Sequence, residues 1–221
     1  MPRPSKFTEH QILGAAARII VTSGVPAATM SAIAHALGAP SGSIYHRFQS
    51  RDDLLGRLWL GKMAAFHRGF SATLQHDDPD HAAVAASLFV PHWVRSDRIG
   101  ARIAIMHRRE EFVGGGWPPD MEREARRLGK EFDVALGDIT RRLFGEVSPT
   151  LKRSTRFAIV DIPYAGVRPH ISRGESPPPE IDNLVRAATI ASIRATREAR
   201  AQMNQASRPT ATLIDIRVNP L

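Results

Sequence analysis

The stretch Thr29–Leu55 constrains the fold more than any other part of the chain, because two short helices and the start of a third fill it almost completely. Thr29 precedes the first helix as a candidate N-cap, and Gly38 follows it as a C-terminal stop. Between them, apolar residues recur at the spacing of one amphipathic helix, at Met30, Ile33, Ala34 and Leu37.

A second helix starts three or four residues later, with Ile44 and Phe48 as its inward-facing pair. Its other face carries small residues first and then polar and aromatic ones: Ser41, Gly42, Ser43, Tyr45, His46 and Arg47. Ser50 then caps a further helix, and Asp53 at its third position predicts a capping box. A helix, a tight turn containing glycine and a second helix form the helix-turn-helix pattern of DNA-binding proteins.

A helix before this stretch completes a three-helix unit. Thr8 and Gln11 predict a capping box at its start, and Gly24 and Pro26 predict its end. We expect the core of the unit to contain Ile12, Ala16, Ile19, Ile33, Leu37, Ile44 and Phe48. The arm before it, residues 1–7, carries Arg3 and Lys6 and is open to two interpretations, a frayed terminus or a basic arm that reaches DNA phosphates.

From Ala28 to Leu55 the sequence resembles the DNA-binding segment of the TetR family of bacterial transcriptional repressors. The residues that carry the resemblance are Thr29, Ile33, Ala34, Gly38, Gly42, Tyr45, Phe48, Arg51, Asp52, Asp53, Leu54 and Leu55. With the preceding helix, the resemblance covers about residues 8–60. Two positions depart from the family pattern: Pro40 replaces the usual Ser or Thr cap of the recognition helix, and Arg51 replaces a common Lys.

The resemblance implies two classes of DNA contact. Ser41, Gly42, Ser43 and His46 would approach base edges in the major groove. Contacts to phosphates would come from Thr29, Tyr45, Arg47 and Arg51.

Composition supports such a partner and excludes several other classes of protein. Lys and Arg together number 30 against 22 acidic residues, a net charge of +8 that favours a polyanionic partner. There is no cysteine, which rules out disulfides, thiolate zinc sites and cysteine nucleophiles. No apolar run approaches the ~18 residues of a membrane span, and the chain starts without a signal-peptide pattern. We therefore expect a cytoplasmic protein with no membrane association.

The chain is predicted to be all-α, with an N-terminal helix-turn-helix head over residues 1–55 and a helical body over 56–203. A fourth helix at about residues 50–75 links the two, and 204–221 form an extended or disordered tail. Further helices are predicted over 82–94, which Pro91 should kink or end, over 98–113, over 120–144, over 148–173 with interruptions at Pro163 and Pro169, and from Pro179 or Glu180 onward.

In the family the last two long helices form a homodimer interface, and the middle helices enclose a small-molecule pocket. Aromatic and Met residues of those segments are the candidates to line it: Trp93, Met106, Phe112, Trp117, Phe132 and Tyr164. Ordinary core packing is the alternative for each of them. His92, Arg102 and His107 are candidate polar contacts, and the composition of the set favours an apolar effector.

The leading hypothesis is a homodimeric repressor that binds double-stranded DNA at a palindromic operator and is released by a small, largely apolar effector. A second hypothesis keeps the DNA-binding head and makes the body a protein-interaction module without a pocket. The third is a metal-assisted enzyme that uses His76 and His81. The third has little support, since no hydrolase or nucleotide-binding motif is present, and residues 76–81 are also explained as a loop that caps the next helix. We expect neither a cofactor nor a bound metal.

Overall fold

The computed structural model describes residues 7–113 and 116–206, and within these ranges every regular element is helical. The predicted all-α architecture, a helix-turn-helix head followed by a helical body, is confirmed. The helices are α1 (Glu9–Ser23), α2 (Met30–Leu37), α3 (Ser41–Tyr45), α4 (Arg51–Thr73), α5 (Pro79–Ser96), α6 (Arg98–Met106), α7 (Pro119–Phe144), α8 (Pro149–Arg156), α9 (Ile162–Ser172) and α10 (Glu180–Ala206).

The caps predicted for the first two helices are present. Thr8 and Gln11 form a reciprocal capping box, in which the Thr8 hydroxyl accepts from the Gln11 N–H at 3.2 Å and Gln11 Oε1 accepts from the Thr8 N–H at 2.8 Å. The Thr29 hydroxyl accepts from the N–H of Ala32 at 3.1 Å. Gly38 ends α2 in the left-handed conformation, with φ at 62°, a geometry that glycine adopts without steric cost.

The core of the head contains the predicted side chains. Ile12, Ala16 and Ile33 are almost fully buried, and Ile19 and Leu37 are partly buried against them. Ile44 and Phe48 of the recognition segment, residues 41–48, are also fully buried. With five residues, α3 is too short to be stable as an isolated helix. Burial of Ile44 and Phe48 therefore holds it in place.

The start of α4 departs from the predicted capping box. The Ser50 hydroxyl accepts from the Asp53 N–H at 3.0 Å, as expected. Asp53 Oδ2, however, accepts from the N–H of Gln49 at 2.9 Å instead of that of Ser50, and its Oδ1 accepts from Arg57 Nε at 2.7 Å. The carboxylate thus joins the turn before α4 to the first two turns of the helix.

Helix α4 passes from the head into the body without a break. Leu54, Leu55 and Leu58 belong to the core of the head, whereas Phe70 packs with α5 and α7 in a second core. Body residues also enter the core of the head, since Ile103, Phe112 and Val113 belong to the same buried cluster. The predicted boundary at residue 55 therefore lies within continuous packing.

Two helix ends in the body differ from the prediction. Pro91 was predicted to kink or end its helix; α5 does not end there but continues to Ser96. The helix predicted over 98–113 ends at Met106, because the Glu111 carboxylate accepts from the backbone N–H of Arg108 at 2.8 Å and bonds to His107, and a short 3₁₀ turn, Arg109–Glu111, follows.

Around Pro163 the chain forms neither a break nor a regular α-helix. A π-helical segment, Phe157–Asp161, joins α8 to α9, because proline has no N–H for the carbonyl four residues earlier and a wider turn relieves the clash. Pro169 lies inside α9.

Helix α10 continues to Ala206, so residues 204–206 of the predicted tail are helical, and the rest of that prediction lies outside the described residues. In the described ranges, no helix combines the length and the apolar character required to cross a bilayer.

Candidate DNA interface and effector cavity

The outer face of α3 presents a small, accessible surface. Tyr45 is 55% exposed, and Gly42 and His46 are also exposed. A Cβ atom added to Gly42 would meet no other atom within 4 Å, so this part of the face is open to another macromolecule. Thr29, a predicted phosphate contact, is exposed at the N-terminus of α2.

Ser43 is only partly exposed, and its hydroxyl has an intramolecular partner. Pro40 stands at the N-cap of α3 and provides no side-chain hydrogen bond. The carbonyl of Pro40 instead accepts from the Ser43 hydroxyl at 2.6 Å and from the Ser43 N–H at 3.0 Å. The hydroxyl oxygen keeps lone pairs that can accept a bond from a base, but its proton is used inside the protein.

Arg51 has a structural role that sequence reasoning did not find. Its Nε donates to the carbonyl of Ala28 at 2.9 Å, and its Nη2 donates to the carbonyl of Val25 at 2.7 Å. These bonds join the first turn of α4 to the turn before α2. Nη1 lies 3.7 Å from Asp52. Arg51 thereby fixes the helix-turn-helix unit relative to α4.

Positive charge is not concentrated in the head. Residues 7–58 contain four arginines, Arg18, Arg47, Arg51 and Arg57, against the three acids Glu9, Asp52 and Asp53. Arg57 also pairs with Asp53 and approaches Glu9. The excess is therefore one positive charge, and Arg3 and Lys6 of the predicted basic arm lie outside the described residues.

A cavity of about 500 Å³ lies in the body between α4, α5, α6, α7 and the α8–α9 segment. This volume is within the ~300–1,000 Å³ range of small-molecule sites. Its wall is mostly aromatic and apolar, and its ring-bearing residues are Trp59, Phe66, His67, Trp93, Phe132 and Tyr164.

Three of the six predicted pocket residues line this cavity. Trp93 and Phe132 form part of its wall, and Tyr164 donates its hydroxyl to the carbonyl of Ile105 at 2.8 Å. The other three lie elsewhere: Phe112 is fully buried in the core of the head, Trp117 packs edge-on against Trp59 with ring centroids 5.5 Å apart, and Met106 packs against the cluster around Val90.

Each of the three candidate polar contacts has a hydrogen-bond partner outside the cavity. His92 pairs with Asp182, Arg102 donates to the carbonyl of Ile171, and His107 pairs with Glu111. Polar ring atoms in the wall also come from α4, through Trp59 and His67, which were not among the predicted pocket residues. The apolar stripe of α4 was visible in the sequence, but its assignment as a linking helix concealed its second role as a wall.

The interior of the cavity is close to neutral. Burial lowers the pKa of His67 below its ordinary value of 6.5, although the nearby charge of Glu131 and the backbone carbonyl of Leu128 act in the opposite direction. His67 Nδ1 and Trp59 Nε1 are buried without a hydrogen-bond partner. The two charged wall residues have partners of their own: Asp133 bonds to Lys152 at 2.5 Å, and Arg156 lies 3.5 Å from Asp161.

The histidine- and aspartate-rich loop at residues 76–81 has the predicted capping role. Asp78 caps α5, its Oδ1 accepting from the N–H groups of Asp80 at 2.8 Å and His81 at 2.9 Å. The rings of His76 and His81 pack edge-on. Within the described ranges, no group of three or more His, Asp or Glu residues converges as metal ligands would.

Comparison with known proteins agrees with this architecture. The family model described as bacterial regulatory proteins of the tetR family matches residues 12–58. A search of curated proteins finds no match.

Several solved structures share the fold over most of their length. The TetR family transcriptional regulator PfmR from Thermus thermophilus is 18% identical, with a TM-score of 0.63 over 83% of this chain and 97% of that one. FadR from Bacillus subtilis, in complex with stearoyl-CoA, is 15% identical, with a TM-score of 0.60 over 84% and 98%. The ketosteroid regulator KstR2 of Mycobacterium tuberculosis is 16% identical, with a TM-score of 0.60 over 86% and 95%.

The match to the head and the likeness in fold agree with each other. The helix-turn-helix unit, its connection through α4 and the helical body are arranged as in these regulators. Residues 12–58 match the family model of the TetR family of bacterial transcriptional regulators, and the described part of the chain shares the fold of such regulators.

Proposed function

We propose that the protein is a homodimeric repressor that binds a palindromic operator and is released from it by a small, largely apolar effector. The observation that carries this proposal is that one helix, α4, is shared by the head and by the wall of the cavity. The proposal makes the protein a regulator and assigns it no catalytic role.

The DNA contacts of the proposal follow from the exposed face of α3. Gly42, Ser43 and His46 face base edges, whereas Thr29, Tyr45 and Arg47 contact phosphates. Ser41, whose side chain lies outside the described part of the structure, keeps its predicted role at base edges. Arg51 acts mainly by fixing the position of the unit, because two of its nitrogens bond to backbone carbonyls. Two heads of a dimer would read half-sites ~34–36 Å apart.

The dimer surface is assigned to α9 and α10. These helices carry large apolar side chains that are exposed in the single chain, including Tyr164, Leu184 at 65% and Ile190 at 43%. A four-helix interface with the same helices of a second copy would bury them.

Coupling between cavity and head would run through α4 and α6. Helix α4 reaches from Arg51 in the head to His67 in the wall. Helix α6 contributes Ala104 and Ile105 to the wall and packs against α1 of the head. At its N-terminus Asp97 bonds to Lys62 of α4 at 2.8 Å. A ligand that binds one arrangement of these helices better than the other shifts the separation of the two heads.

Two of the structural neighbours support an apolar effector. One was solved in complex with stearoyl-CoA, whose acyl chain is apolar although its coenzyme A part is charged, and another is named as a ketosteroid regulator. The aromatic wall of the cavity here fits the same class of chemistry.

Binding of the purified protein to DNA from upstream of its own gene, measured by fluorescence anisotropy, tests the proposal. We expect salt-dependent binding of one dimer per palindrome, and release when an apolar compound that stabilises the protein thermally is added. Binding that no stabilising compound reverses would contradict effector control. A monomer by light scattering on the DNA-free protein would contradict the dimer.

A further inference from the structure

Two residues of α4 that line the cavity, Trp59 and His67, each contain a buried polar atom without a hydrogen-bond partner. Trp59 and His67 are eight residues apart on one helix, a separation of about 12 Å along its axis. Trp59 Nε1 and His67 Nδ1 are two of the four buried side-chain nitrogen or oxygen atoms that have no hydrogen-bond partner in the described part of the chain. Most buried polar atoms in proteins are hydrogen-bonded, so two such atoms in residues of one cavity wall require an explanation.

The charged residues around the cavity indicate which class of ligand it excludes. Asp133 and Arg156 are the two wall residues with a full charge, and their side chains are 66% and 55% exposed to solvent. Both have a partner of opposite charge, Lys152 and Asp161 respectively. A carboxylate moved into the aromatic interior would lose its hydration without gaining a counter-ion.

The imidazole of His67 can serve as the polar contact in this interior. Phe132 stacks on it with ring centroids 5.0 Å apart, in nearly parallel planes. A neutral imidazole offers at Nδ1 either a donor or an acceptor, depending on its tautomer, and a hydroxyl group satisfies both forms.

We propose that the cavity takes an uncharged, mainly apolar ligand whose oxygen substituent, a hydroxyl or an equivalent group, pairs with His67. The assignment rests on the effector role proposed above and narrows it to one chemical class. An acidic ligand would bind only with its charged end outside, at the rim near Arg156.

Displacement of a fluorescent probe from the full-length protein tests this proposal. N-phenyl-1-naphthylamine, a neutral apolar fluorophore, would occupy the cavity, and energy transfer from the tryptophans, of which Trp59 and Trp93 line the cavity, would report its binding. The competitors are decan-1-ol, dec-1-ene and decanoate, which share one chain length. We expect decan-1-ol to displace the probe at a concentration at least about ten-fold lower than decanoate.

Substitution of the histidine isolates its contribution. His67→Phe keeps a ring that stacks on Phe132 but removes both nitrogens, so the preference for decan-1-ol over dec-1-ene should fall by about five-fold, the loss of one hydrogen bond. His67→Gln, which keeps a hydrogen-bonding side chain, should retain most of the preference. The control is His92→Phe, outside the cavity, which should leave it unchanged; circular dichroism checks that each variant is folded.

The outcomes separate this inference from the proposed function. Equal displacement by decanoate and decan-1-ol, or an unchanged preference in folded His67→Phe, would overturn the ligand class while leaving effector control intact. Failure of the wild-type protein to bind the probe would count against the cavity as the effector site, and therefore against both proposals.

Discussion

The outer face of α3 and the cavity wall on α4 differ in how their polar groups are placed. On α3, Tyr45 and His46 are open to solvent, and the helix is held from behind by Ile44 and Phe48. On α4, Trp59 Nε1 and His67 Nδ1 are buried and lack hydrogen-bond partners. A surface that meets DNA can keep its polar groups hydrated until the partner arrives. A surface that binds an apolar molecule keeps water away before the ligand arrives, so its unpaired polar atoms lower the stability of the free protein.

The arginines also differ in role, because some are available to contact DNA and others stabilise the fold. The body contains most of the arginines, and several donate to carbonyl groups at helix ends, where a positive charge also complements the helix dipole. Arg142 donates to the carbonyls of Leu74, His76 and Asp77 after α4, and Arg200 donates to that of Phe144 at the end of α7. The net charge of +8 is therefore a weaker indicator of DNA binding than its size suggests.

The largest expected effect distinguishes the side chains that hold the recognition segment in place from those that contact DNA. Phe48→Ala should lower the free energy of unfolding by about 3–5 kcal/mol, because it removes a fully buried ring and leaves a cavity. Tyr45→Ala, on the exposed face, should leave stability nearly unchanged and weaken operator binding. Urea unfolding and anisotropy on the same samples measure both quantities. If Tyr45→Ala destabilised the protein as much as Phe48→Ala, the two faces would not be separate.

The next effect concerns the arginines of the body. Arg142→Ala should cost about 1–3 kcal/mol of unfolding free energy, because three carbonyl groups lose a charged donor. The matched control is Arg126→Ala, whose guanidinium is mostly exposed and lies 3.9 Å from Glu122, so its effect on thermal unfolding should be much smaller. Equal effects of the two substitutions would mean that the carbonyl contacts contribute nothing beyond surface charge.

A similar contrast applies to the two arginines that flank the end of the recognition segment. Arg51→Ala should lower stability by about 1–2 kcal/mol, since it removes the bonds to Val25 and Ala28. Arg47→Ala should instead reduce the slope of log affinity against log salt concentration by about one. Anisotropy titrations at several salt concentrations, combined with urea unfolding, decide the assignment; the reverse pattern would make Arg51 the phosphate contact.

The smallest effect is a dependence of stability on pH. Because the pKa of His67 is lowered in the folded state, the unfolded chain takes up a proton before the folded one does as the pH falls below about 6.5. Acidification from pH 7.5 to 5.5 should therefore destabilise the wild-type protein more than His67→Phe. Thermal unfolding of both proteins at the two pH values tests this difference, and identical shifts would contradict it.

Sequence patterns predicted the head well because its determinants are local. Thr8, Thr29 and Gly38 each act within four residues of their own position, and the spacing of Ile44 and Phe48 is that of one helix face. The role of Arg51 was missed because its partners lie 26 and 23 residues earlier in the chain. The DNA contacts themselves remain predictions.

The cavity was predicted less well because it is assembled from several helices. Residues as separate in sequence as Trp59 and Tyr164 line it, and large apolar residues have the same appearance in a filled core and in a cavity wall. Trp117 and Phe112 satisfied the compositional criterion equally well, but they pack behind the wall and in the core of the head. Periodicity identifies the buried face of a helix and does not identify what that face meets.

The shared core of the head has a consequence for building hybrid regulators. Ile103, Phe112 and Val113 complete the packing around Leu54 and Leu55, so a graft cut at residue 55 would leave an apolar surface on both pieces. A working chimaera with a foreign sensor would have to carry the end of α6 and the segment after it along with the head, or redesign those contacts in the recipient. Exchange of DNA specificity is simpler by substitution on the outer face of α3, which leaves this junction unchanged.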